Sequence, residues 1–150
     1  MTRTLTPLLA ALFLACAPMA HAAPPAEAAA PAASDEAKVV YHINDASVAR
    51  AAMNNINNEL NASPTDKIVV VAHGKGIDFL LNDAKDDKGA FESQVAALKN
   101  RGVDFRVCNN TLMSRKLGPD AVIMEAKVVP SGVAELARLQ AKEGYVYIKP

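Results

Sequence analysis

The chain has 150 residues, a mass of 15.8 kDa, and 16 basic against 16 acidic side chains, with no tryptophan and only 5% aromatic residues. Balanced charge leaves no electrostatic footprint for nucleic acid or an anionic membrane. So few rings also rule against a base-stacking surface.

The N-terminus reads as an export signal over residues 1–22. Arg3 supplies a positive start, Leu5 to Met19 is uncharged and apolar, and Ala20-His21-Ala22 places small residues before a cut at Ala23. The apolar run is shorter than the roughly 20 residues a permanent membrane helix needs. The expected destination is therefore the periplasm, with no membrane attachment after cleavage. Two alternatives are a retained anchor and a lipoprotein acylated at Cys16, although Phe13 stands where a lipid-modification box wants leucine. Residues 23–36 follow as a disordered leader of alanine and proline, in which Pro24, Pro25 and Pro31 prevent a continuous helix. Removing Arg3 with the signal leaves 15 basic residues against 16 acidic. The remaining 37–150 is long enough for one domain with one core, and too short for two.

Within that domain, strand-like and helix-like patterns alternate. Lys38 to Ile43 (KVVYHI) is the first predicted strand. Ala49, Met53, Ile56 and Leu60 then recur at helical spacing across an asparagine-rich segment, with Asp45 or Ser47 as N-cap. Lys67 to His73 (KIVVVAH) is a second strand, and its unbroken apolar middle points to burial on both faces, as in a parallel sheet. Ile77 to Leu81 reads as a short helix, Asp83 to Lys88 as a solvated loop, and Ala90 to Asn100 as a helix stopped by Gly102. Val103 to Cys108 is the third strand, Thr111 to Lys116 a short helix, and Ala126 to Val129 the fourth strand. Ser131 caps a last helix closed by Gly144, and Tyr145 to Ile148 is the fifth strand. This alternation predicts a three-layer α/β/α fold around a mostly parallel five-stranded sheet.

In open α/β sheets, ligands gather beyond the carboxyl ends of the strands. His42 with Asn44, His73 with Gly74, and Cys108 with Asn109 occupy three such ends. With Cys16 removed, Cys108 is an unpaired thiol in a disulfide-permissive compartment. A thiol attacks as thiolate, and a helix N-terminus or a nearby cation lowers its pKa. Arg106, Arg115 and Lys116 are close in sequence, and Thr111 of the C-x-x-T spacing turns its hydroxyl toward the sulfur. One thiol with a hydroxyl in place of a second suits a persulfide or a mixed disulfide. The competing reading is a buried, inert cysteine closing a core strand. His73-Gly74-Lys75-Gly76 is either an anion-binding turn with exposed amides or a simple chain reversal, and it lacks the phosphate-loop pattern. His42 and His73 are acid-base candidates without metal-ligand spacing, so neither metal nor cofactor is expected. There is no serine nucleophile elbow.

Three segments, VVVAHGKGIDFLL (69–81), LKNRGVDFRVCNNTL ending at Leu112, and VPSGVAELARLQAKEGYVYIKP (129–150), resemble the DsrE family of small sulfur-metabolism proteins, especially its exported single-domain branch with a YchN-like fold. The resemblance spans 38–150. It implies a parallel α/β domain that associates into trimers or hexamers, and a cysteine after a core strand that carries sulfur as a persulfide between donor and acceptor proteins. Cys108 matches that cysteine, although Asn109, Asn110 and Thr111 differ from the alanine-rich run that follows it in relay members. The leading expectation is a periplasmic sulfur carrier acting through Cys108. Asn109, Asn110 and Thr111 would bind the loaded sulfur, and His73 would assist proton movement. The rivals are a non-enzymatic ligand- or metal-binding assembly module using His42, His73 and an inert Cys108, and a redox partner that pairs between molecules through Cys108.

Overall fold

The computed structural model describes residues 36–150. The predicted signal peptide, Cys16 and nearly all of the leader lie outside the described residues. Seven strands and four α-helices follow in order: β1 Lys38–Asp45, α1 Ala49–Ala62, β2 Lys67–Lys75, β3 Lys85–Asp86, β4 Gly89–Ala90, α2 Glu92–Asn100, β5 Asp104–Cys108, α3 Asn109–Ser114, β6 Ala126–Val129, α4 Gly132–Glu143 and β7 Val146–Ile148. Five strands form one sheet in the order β6-β5-β2-β1-β7, with every pairing parallel. This is the predicted sheet, flanked by helices on both faces.

The connections explain which helix covers which face. From β1 to β2 to β5 to β6 the chain steps across the sheet in one direction, so right-handed crossovers put α1, α2 and α3 on the same face. The last connection, from β6 at one edge to β7 at the other, runs backwards and must place α4 on the opposite face. The buried side chains obey this division. Tyr41, Ile43, Val70, Phe105 and Val107 pack with Met53, Ile56, Val95 and Leu112. The alternate residues Val40, Val69 and Val71 pack with Leu136 and Leu139 of α4.

A buried ion network fixes α4 against β5. The Arg106 guanidinium lies 2.6 Å from the Asp104 carboxylate and also pairs with Glu135, which in turn holds Arg138 at 2.8 Å. Hydrogen bonds from the two arginines hold Glu135 down to about 2 against the opposing effect of burial, so it is charged at neutral pH. At its ends α4 has a Ser131 Oγ that accepts from the Ala134 N–H at 3.3 Å, and Gly144 in the left-handed region at φ 73°.

Two segments depart from the sequence reading. Asp83–Lys88 is not a free loop, because Lys85–Asp86 pairs with Gly89–Ala90 in a small antiparallel hairpin that delays the start of α2 to Glu92. Arg50 anchors the hairpin with two 2.9 Å bonds to Asp86, and stacks 4.2 Å from the centre of the Phe91 ring. The asparagines of α1 are likewise engaged: Asn54 accepts from Gln94, and Asn57 and Asn61 accept from Arg101.

Gly76 opens the turn after β2 and is fully packed. A Cβ there would lie 2.1 Å from the Ile43 carbonyl oxygen and 2.5 Å from its carbon, and backbone cannot yield as a side-chain tip can. Gly76→Ala is therefore expected to destabilise the domain by about 2–3 kcal/mol or more. Urea unfolding measures this, and the cost at Gly102, where a Cβ meets nothing within 4 Å but φ is 93°, should be smaller.

Candidate functional site

The division of crossovers also locates the site. After β5 the chain turns to one face as α3, and after the neighbouring β6 it turns to the other as α4, which makes the carboxyl ends of these two strands a topological switch point. Cys108 is the last residue of β5 and the N-cap of α3, with extended backbone at φ −72° and ψ 116°. The alternation that buries Val107 among α1 and α2 turns the Cys108 side chain toward α4. Gly132, the first residue of α4, meets it there. A Cβ on Gly132 would lie 3.1 Å from the Cys108 Cβ and 3.2 Å from the His73 Cβ, so only glycine lets the helix amide approach both.

Cys108 is free and buried, with 5% of its surface exposed. Burial raises its pKa, yet the amide of Gly132, the hydroxyl and amide of Thr111, and the amide of Asn110 more than offset this, and the net shift is downward. The Cys108 side chain itself makes no capping hydrogen bond to α3, and the free first-turn amides favour negative charge at that position. The Thr111 hydroxyl has a second contact, accepting from the Gly74 N–H at 3.0 Å. That bond leaves its proton free to point at sulfur, and ties the end of β2 to the first turn of α3.

The cations near Cys108 in sequence act elsewhere. Arg106 is committed to Asp104 and Glu135, and Arg115 pairs with Asp78. The thiol is thus acidified by amide and hydroxyl dipoles. Of the asparagines, Asn110 contributes its backbone, while the Asn109 side chain points along α3 to the Met113 sulfur at 3.3 Å. The HGKG segment is strand rather than turn as far as Lys75, and within it the Gly74 amide, at φ 59°, is spent on the Thr111 hydroxyl, while Gly76 packs against the Ile43 carbonyl.

A second cluster begins on the neighbouring strand. His42 of β1 and His73 of β2 meet Nε2 to Nε2 at 2.6 Å, and the other nitrogen of His42 meets the Tyr147 hydroxyl of β7 at 2.6 Å. Burial, then the charges of His73 and Lys149, push His42 down to about 4; burial and Lys149 lower His73 as well. Both rings are neutral at pH 7. Cys108, His73, His42 and Tyr147 therefore stand on four successive strands along one edge. Sequence reasoning missed Gly132 and Tyr147. A glycine directly after the Ser131 cap, and a tyrosine in phase with Tyr145, are the signals that mark them.

A parallel α/β domain with an acidified thiol at its switch point defines a class of small thiol-bearing proteins. Residues 26–150 match the DsrE/DsrF-like family, and the chain belongs to that family. A solved protein of unknown function, MTH1491 from Methanobacterium thermoautotrophicum, is similar at 31% identity and a TM-score of 0.69, over 76% of this chain and 99% of that one. The ychN protein from E. coli shares the fold at 13% identity and a TM-score of 0.62, again over 76% and 99% of the two chains. Among curated proteins none matches.

Because the donors lower the thiol pKa, the folded protein should show thiolate ultraviolet absorbance appearing at a lower pH than in the urea-unfolded chain, with Cys108→Ser as the blank. Thr111→Val should move that transition upward by removing the hydroxyl. The linked stability has a defined sign: ionisation of Cys108 adds stability above the unfolded-state thiol pKa, and the gain is lost as pH falls through the folded value.

Proposed function

We propose that this protein is a periplasmic sulfur carrier in which Cys108 takes a sulfane sulfur from a donor and passes it to an acceptor. The observation that carries the reading is the placement of Cys108 at the N-cap of α3 with Gly132, the first residue of α4, packed against its Cβ. In loading, the Cys108 thiolate attacks the outer sulfur of a donor persulfide. A new S–S bond forms to Cys108, the donor's S–S bond breaks, and the donor leaves as thiolate. In unloading, an acceptor thiolate attacks the outer sulfur and Cys108 departs as thiolate. The same dipoles serve both steps, since a low-pKa thiol is both largely ionised and a good leaving group.

Family membership supports a sulfur-relay setting for this chemistry. Burial of the thiol suits a small cargo, because a sulfur atom needs little more room than the thiol itself. His73, on the strand beside Cys108, is a neutral base within the same edge and is assigned to proton movement. Periplasmic location rests on the N-terminal signal pattern. Homo-oligomers fit the exposed apolar side chains of Val133 on α4 and Val146 on β7, 63% and 60% exposed.

Incubation with a polysulfide donor, followed by intact-mass measurement, should show one added sulfur atom on wild type and none on Cys108→Ser. Gly132→Ala should lower the yield severalfold by pushing the helix amide off the sulfur. Absence of an adduct on folded wild type, or an equal adduct on Cys108→Ser, ends the reading.

A further inference from the structure

The sulfur chemistry leaves the His42 imidazole and the Tyr147 hydroxyl behind it without an assigned task. Strand register explains how the pair forms. His42 is level with Val71, two residues before His73 on the neighbouring strand, so the rings meet on a diagonal across the α4 face of the sheet. Their centroids are 4.7 Å apart with planes 27° from parallel, and both Nε2 atoms point into the space between them. One proton suffices for the hydrogen bond they share. If His73 carries its proton on Nδ1, both Nε2 lone pairs face the same point.

The far side of His42 has the arrangement that orients a metal-ligating imidazole. Its Nδ1 lies 2.6 Å from the Tyr147 hydroxyl, and in the tautomer where that nitrogen donates, Nε2 is bare. Tyr147 is 39% exposed, so the cluster opens to solvent at the sheet edge. Imidazole nitrogen is a ligand for copper and zinc alike. Zinc takes four ligands in structural sites and three plus water in catalytic ones, whereas among the described residues no group of three or more His, Cys, Asp or Glu converges. The charge that acts on both rings is that of Lys149, which disfavours a divalent ion more than a monovalent one. A cuprous ion is monovalent and is satisfied by two neutral nitrogens.

We propose that His42 and His73 form a two-coordinate site for Cu(I), with Tyr147 as the positioning residue behind His42. Each nitrogen must stand about 2 Å from the ion, so the pair opens from 2.6 Å to about 4 Å on binding. The proton between the rings moves to His73 Nδ1, and no net proton is released. Cys108 faces Gly132 and Thr111 and is not a ligand.

Anaerobic titration with Cu(I) held by a chromophoric competitor tests the site on the full mature chain. Wild type and Cys108→Ser should each withdraw one equivalent. His42→Gln and His73→Gln should lose at least tenfold in affinity, and Tyr147→Phe should lose about tenfold. Zn(II) should bind at least tenfold more weakly than Cu(I). X-ray absorption of loaded wild type should show nitrogen alone in the first shell, which keeps the test decisive if a histidine variant fails to fold. No uptake by folded wild type, equal uptake by both histidine variants, tighter Zn(II) than Cu(I), or a sulfur scatterer in the first shell overturns the proposal. Cys108→Ser abolishes sulfur loading and keeps copper uptake, whereas His42→Gln, at a residue with no part in sulfur transfer, loses copper and keeps sulfur loading, so the two readings are separable.

Discussion

The approach of Gly132 to Cys108 and His73 is the contact on which the site depends. A helix can bring its first amide against the ends of two strands only where the intervening residue has no side chain, and here any Cβ would press on both neighbours at little more than 3 Å. The ion network of Arg106, Glu135 and Asp104 sets the helix at that distance, and Leu136 and Leu139 set its rotation. Packing of α4 and acidity of the thiol are therefore one constraint seen from two sides. Loosening the helix weakens the dipoles aimed at sulfur.

The arrangement also explains how a buried cysteine differs from an inert one. Burial alone raises a thiol pKa, and most buried cysteines remain thiols for that reason. Around Cys108 the desolvation is opposed by Gly132, Thr111 and Asn110, which supply donors without supplying net charge. Dipoles from the fold are spared the screening that salt imposes on an exposed lysine or arginine. They also favour a persulfide anion as they favour a thiolate.

Much of the architecture was legible in the sequence because strands buried on both faces write themselves as unbroken β-branched runs, as in IVVVA of β2. The position of Cys108 at a strand end, and Thr111 one turn later, followed from the same pattern. What stayed hidden depends on pairings between distant segments. The Asp83–Lys88 stretch looks solvated because its charges are visible, while their partner Arg50 lies more than thirty residues earlier. Arg106 looks like a neighbour of the thiol because it alternates in phase with it, yet Asp104 and Glu135 claim its guanidinium. Tyr147 and Gly132 carry no local motif. Their roles come from strand order, which sets the last strand beside the first, and from the backward crossover that sends α4 to the far face.

That backward crossover has a consequence for the life of the chain before it folds. The amide that acidifies Cys108 belongs to α4 and Tyr147 to β7, both more than twenty residues later in the chain, so neither takes its place until those elements have been made and packed. Until then the chain carries an ordinary, weakly nucleophilic cysteine. Reactivity is switched on by completion of the tertiary structure, which makes a correct fold its own licence for chemistry.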